Sequence, residues 1–108
     1  MRWEMHIGKR EGHRHTLLVP ARLIMPERMQ EVWITDLSSD GAAIQFQKPV
    51  FGSAGMIAWQ AVRRPVNVVW LKERRCGLRF ATPLTRAQLM DTVEAGGQGM
   101  DALERMRS

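Results

Sequence analysis

Thr35-Asp36-Leu37-Ser38-Ser39-Asp40-Gly41 separates two strand-like runs, Glu31-Val32-Trp33-Ile34 before it and Ala42-Ala43-Ile44-Gln45-Phe46 after it. The loop between the runs is almost wholly polar and ends in glycine. Asp and Ser side chains bond backbone groups two residues on, and Gly41 is expected to take the positive φ that closes a turn. A hairpin requires nothing more. The same stretch also sets a carboxylate, Asp36, beside a hydroxyl, Ser38, a pair that accepts the N1–H and N2–H₂ donors on the edge of a guanine. On the loop alone the plain turn is the simpler reading, and the residues upstream decide between the two.

Moving outward, apolar and polar residues alternate with the period of a strand. From Thr16 to Met25, Leu17, Val19, Ala21, Leu23 and Met25 share one face, while Pro20, which donates no hydrogen bond, marks an edge or a bulge. Pro26-Glu27-Arg28 turns the chain into a second strand, Glu31 to Thr35. The third has Ala42, Ile44 and Phe46 inward, with Ala43, Gln45 and Gln47 outward. Met56 to Ala61, Pro65 to Leu71 and Arg75 to Ala81 follow as strands four to six. Val66, Val68 and Trp70 are expected on one face, as are Cys76, Leu78 and Phe80. Six short strands with turn signals every eight to twelve residues predict a mainly β fold, a small antiparallel barrel or sandwich. A helix is predicted only at the end. Thr85-x-x-Gln88 is a capping box, with Leu84 placed to staple onto Leu89. The helix should run from about Arg86 to Ala95 and stop at Gly96-Gly97. Met100, Leu103 and Met106 are spaced for a second short amphipathic helix. The chain thus divides into an N-terminal arm (1–8), a barrel domain (9–84) and a C-terminal helical segment (85–108).

With 108 residues, 44% of them hydrophobic, the chain suits one small globular core rather than a disordered tail. No apolar run approaches the length of a membrane span or a signal peptide. A lone cysteine, Cys76, forms no internal disulfide, which points to the reducing cytoplasm. The net charge of +5 draws anions: nucleic acid, acidic lipid headgroups or a phosphorylated small molecule. Thirteen of the sixteen basic residues are Arg. Arg grips phosphate or the guanine O6/N7 edge with a planar fork that Lys lacks. Gly8 and Gly12 bracket Lys9-Arg10-Glu11, and Arg10 and Arg14 share one face of an extended arm, roughly 13 Å apart. Such an arm is suited to wrapping an anion, or is simply a solvated basic segment. Before it, Trp3, Met5 and Ile7 alternate with Arg2, Glu4 and His6 like a strand.

Taken together these residues resemble the PilZ domain family. Arg10-Glu11-Gly12-His13-Arg14 is similar to its R-x-x-x-R arm, and Asp36-Leu37-Ser38-Ser39-Asp40-Gly41 to its D-x-S-x-x-G loop. Val68-Val69-Trp70 and Cys76-Gly77-Leu78-Arg79-Phe80 resemble the family's closing strands, and Gly55 falls where it often has glycine. The resemblance spans about residues 9 to 84. It implies a six-stranded antiparallel Greek-key barrel with a C-terminal helix that binds the second messenger cyclic di-GMP. It implies that Arg10 and Arg14 hold phosphate and the guanine O6/N7 edge, that Asp36 and Ser38 meet the base's polar edge or phosphate, and that Gly41 lets the backbone turn beneath. Lys9 and Arg79 are added as flanking cations. The expected protein is a non-enzymatic receptor without cofactor or metal, a monomer or weak dimer. It would pass the signal to an unidentified effector protein as the arm orders on the ligand.

Two alternatives share the pattern. One is a PilZ-like adaptor that works by protein contact alone, and the other a small basic barrel that binds nucleic acid. Trp33, Trp59 and Trp70 could stack bases, but Trp on short strands more often packs in a core. His13-x-His15 has no third ligand nearby for a metal, and Ser38 has no placeable base for nucleophilic catalysis.

Overall fold

The computed structural model describes the backbone of residues 14–107 and the side chains as far as Gly96. Six strands precede one helix: β1 (His15–Met25), β2 (Arg28–Leu37), β3 (Gly41–Gln45), β4 (Ala54–Trp59), β5 (Val62–Lys72), β6 (Arg75–Phe80) and α1 (Arg86–Arg107). All neighbouring strands are antiparallel and close a barrel in the order β1-β2-β3-β6-β5-β4. The β4-β5-β6 meander returns its last strand beside β3, a Greek-key connection. The predicted barrel is therefore the observed fold.

Alternation built it. Leu17, Val19, Leu23, Ile34, Ile44 and Ile57, each at most 2% exposed, fill the interior from four strands. Pro20 faces Trp33 of β2, and on its other side the β1–β4 pairing reaches only Arg22 to Ile24. Its missing donor therefore falls outside that seam. Trp59 and Phe80 close one part of the core, ring centroids 5.9 Å apart.

The capping box forms as read: the Gln88 amide N–H donates to Thr85 Oγ1 (3.1 Å), and the Thr85 N–H donates to Gln88 Oε1 (3.0 Å). Leu84 is buried in the core, and Leu89 packs against it. The end of the helix departs from expectation. Instead of stopping at Ala95 before a second helix, α1 continues unbroken to Arg107. Gly96 is a contact residue, not a stop. A Cβ there would lie 2.6 Å from Leu17 Cβ and 3.0 Å from Val19 Cγ2, so glycine is what lets α1 rest directly on β1. One turn earlier, buried Thr92 accepts a hydrogen bond from Trp59 Nε1 at 2.9 Å and donates its own to the Gln88 carbonyl. Among the described residues, no helix is long and apolar enough to cross a membrane.

Candidate functional site

The quoted loop is a short, firmly held connection between β2 and β3. Ser38 Oγ accepts a hydrogen bond from the Asp40 N–H two residues on, as expected of such a turn, and donates to the Gly41 carbonyl. Ser38 is fully buried, so its hydroxyl is used to brace the loop. Gly41 also differs from expectation. It begins β3 opposite Arg79, and among the described glycines only Gly52 has a positive φ. The loop is fastened from outside as well: Phe80 N–H donates to the Asp40 carbonyl and Leu84 N–H to the Ser39 carbonyl.

Asp36 owes its position to an irregularity. The β2–β3 register steps from Ile34↔Ile44 to Asp36↔Ala43, leaving Thr35 as an extra residue on β2. Ile34 and Leu37, three apart, consequently both point into the barrel with no exposed surface. Thr35 and Asp36 both lie on the outer wall. A second shift, from Val68↔Leu78 to Trp70↔Gly77, leaves Val69 as the extra residue of β5. It overturns the expectation that Trp70 shares a face with Val66 and Val68. Val68 still packs on the core, whereas Trp70 packs outside against Ala43 and lies over Gly77, whose added Cβ would collide with the indole.

Register now assembles an outward row across five strands: Thr16, Asp36, Ala43, Gly77 and Trp70. Asp36 stands toward one end and Trp70 at the other, and the small residues between them, Ala43 and Gly77, are buried beneath the Trp70 indole. On either side of Gly77 β6 presents an exposed Arg, Arg75 opposite Gln45 and Arg79 opposite Gly41. Arg75 Nη2 donates to Thr35 Oγ1 at 3.1 Å and to Asp36 Oδ2 at 3.4 Å. Thr35 Oγ1 in turn donates to the Ala43 carbonyl at 3.3 Å. Pairing of His15 with Leu37 and Thr16 with Asp36 brings exposed Arg14 to the start of the loop. Lys9 and Arg10 lie outside the described residues. Beside Thr35 opens a groove of about 1140 Å³ along the outside of β1, β2 and β3, lined by Leu18, Arg22, Trp33 and Gln45 among others. Trp33 is 43% exposed there, whereas Trp59 is core.

No protein-family model matches the chain, and no curated protein matches it. Among solved structures, the chain is similar to the PilZ domain of CeSA from a cellulose-synthesizing bacterium, with a TM-score of 0.53 at 16% identity. That match covers 82% of this chain and 98% of the other. The fold is that of a PilZ domain. An uncharacterized Legionella protein also aligns, with a TM-score of 0.48 at 14% identity over 85% of this chain and 98% of its own.

Of the expected residues, register sets Arg14, Asp36, Gly41 and Arg79 toward the same end of β1, β2, β3 and β6, while Ser38 is buried. The structure adds Arg75, which the sequence reading passed over. The signal was present in the alternation of β6: Cys76, Leu78 and Phe80 inward leave Arg75, Gly77 and Arg79 outward together. What the sequence withheld was the neighbour. Only the β3–β6 pairing shows that Arg75 reaches across β3 to Asp36. Buried Cys76 has its thiol pushed up to about 12 by desolvation, which leaves it protonated and unsuited to nucleophilic or metal chemistry. Among the described residues no cluster of His, Cys, Asp or Glu could hold a metal.

Proposed function

We propose that the chain is a receptor for cyclic di-GMP, relaying it to an effector protein when the Arg10–Arg14 arm orders on the ligand. The observation that carries this reading is the outward row, with Asp36 and Trp70 both turned out by bulges over a floor of small residues. The Trp70 indole, which covers that floor, offers a planar base a face to stack on. Asp36 offers the acceptor that guanine donors need, while Arg14, Arg75 and Arg79 offer forks for phosphate. At its Thr16 end the row borders the groove beside Thr35. The PilZ-like fold supports the same reading, since the β1–β2 pairing sets Arg14, the last residue of the arm motif, beside the strand that carries Asp36.

A calorimetric titration with cyclic di-GMP, beside GTP and a single-stranded oligonucleotide, tests it. Binding of the messenger alone is expected, weakened about ten- to a hundredfold by Arg14→Ala without loss of the thermal transition. Raising salt from about 50 to 200 mM should weaken it less than tenfold, because a ligand with two phosphates carries no condensed counterion atmosphere. Absence of messenger binding, or steeply salt-sensitive oligonucleotide binding, overturns the proposal.

A further inference from the structure

A receptor that sets a carboxylate against a ligand with two phosphates meets an electrostatic conflict, since like charges repel most where water is displaced. The contacts around Asp36 supply the resolution. One guanidinium nitrogen of Arg75 touches both Thr35 Oγ1 and Asp36 Oδ2, and Thr35 is itself held by its bond to the Ala43 carbonyl. The bulge is what makes this contact available, because it puts Thr35 and Asp36 side by side on the wall. Arg75 lies across β3 over the floor of the site, half exposed, while Asp36 is four-fifths covered.

Resting on the receptor reading, we propose that Arg75 is a binding residue in its own right. It neutralises Asp36 toward an approaching phosphodiester and leaves one carboxylate oxygen facing guanine donors. The Nε and Nη1 donors, which bond nothing among the described residues, are directed to phosphate. Thr35 is the positioning residue. Its hydroxyl, oriented by the Ala43 carbonyl, holds the fork in place when no ligand is bound. This arrangement makes the affinity for anions depend on one pair, Asp36 and Arg75, rather than on the total positive charge of the surface.

The test is calorimetric titration of cyclic di-GMP into wild type, R75Q, R75K, T35V, D36N and the R75Q/D36N double variant, with thermal melts alongside. R75Q should bind about ten- to a hundredfold more weakly, with a melting temperature close to wild type, since Arg75 is half exposed and lies outside the core. R75K should recover part of the loss by charge without the fork. T35V keeps the charge and should lose a few-fold. D36N should cost less in the R75Q background than in wild type, because the two residues act as a unit. Wild-type affinity in R75Q overturns the role of Arg75, and additive losses in the double variant overturn its action through Asp36. Should R75Q fail to fold, R75K and T35V decide: wild-type binding in both refutes the inference. If wild type itself binds no messenger, the receptor reading has failed and this inference falls with it, a result distinct from any of these.

Discussion

Gly96→Ala sets two effects of opposite sign against each other at one position of α1. In an exposed helix interior the change stabilises by about 0.8–1 kcal/mol, because alanine loses less backbone freedom. Here the new Cβ would lie 2.6 Å from Leu17 Cβ, 2.8 Å from Leu17 Cδ1 and 3.0 Å from Val19 Cγ2. Carbon atoms settle at roughly 3.5–4.0 Å, so the nearest contact is short by about 1 Å. Leu17 Cδ1 can rotate away, but Leu17 Cβ is fixed to the β1 backbone and cannot. The helix must lift from the strand, and overpacking of this kind costs about 1–3 kcal/mol. Packing therefore outweighs propensity by about 1 kcal/mol. For 108 residues that corresponds to a fall in Tm of about 4 °C, from an unfolding entropy near 2.1 cal/mol/K per residue. Thermal melts followed by circular dichroism at 222 nm, with calorimetry for the enthalpy, measure it. A rise in Tm of similar size would mean that propensity acts alone and that α1 does not rest on β1 at Gly96.

Two further outcomes follow from the barrel. Gly55→Ala places a Cβ 2.5 Å from the Ile24 carbonyl oxygen, main chain that can yield only by parting β1 from β4, where pairing spans just Arg22 to Ile24. A melt should show a loss of about 1–3 kcal/mol, and an unchanged Tm would refute the close approach. Cys76 has its pKa raised from 9.0 to about 12 by burial, so above pH 9 the unfolded chain releases a proton that the folded one keeps. Stability from this group is complete below pH 9 and should fall by about 1.4 kcal/mol per pH unit between roughly 9 and 12. The chain has no Tyr to mask the effect. Melts at pH 8 and 10 for wild type and Cys76→Ala check it: an equal alkaline loss in both would exclude the thiol as its source.

The parts of this fold legible in the sequence were those set by local pattern. Leu17 to Met25 alternates without a break, so one face of β1 could be read as core. Thr85 and Gln88 satisfy each other's backbone across one turn, so the start of α1 was fixed by four residues. The parts that escaped depend on what a distant strand does. Gly96 followed by Gly97 looks like a helix stop until Leu17 is known to lie beneath it. Trp70 lies two residues beyond Val68, a spacing that means the same face unless the partner strand skips a residue, and only the pairing with β6 reveals that it does. Asp36 was picked out by its neighbours in the loop, whereas Arg75, 39 residues away, became visible through the β3–β6 register.

The two bulges on β2 and β5 explain how one small barrel serves both folding and a site. Strict alternation from Ile34 would send Asp36 inward, where an ionised carboxylate without a partner costs several kcal/mol. Strict alternation from Val68 would likewise send Trp70 into an interior already occupied by Trp59 and Phe80. One extra residue on each strand turns both side chains outward at the same level of the barrel, separated by Ala43 and Gly77. Ile34, Leu37 and Val68 keep their places on the inside. The inner face is thereby left to packing and the outer row to chemistry. Substitutions at Asp36, Thr35 or Arg75 should then change ligand affinity with little effect on the core. Deleting Thr35 should do the same: alternation then runs Ile34 inward, Asp36 outward and Leu37 inward, so the core face of β2 is kept while Arg75 loses the hydroxyl that holds its fork.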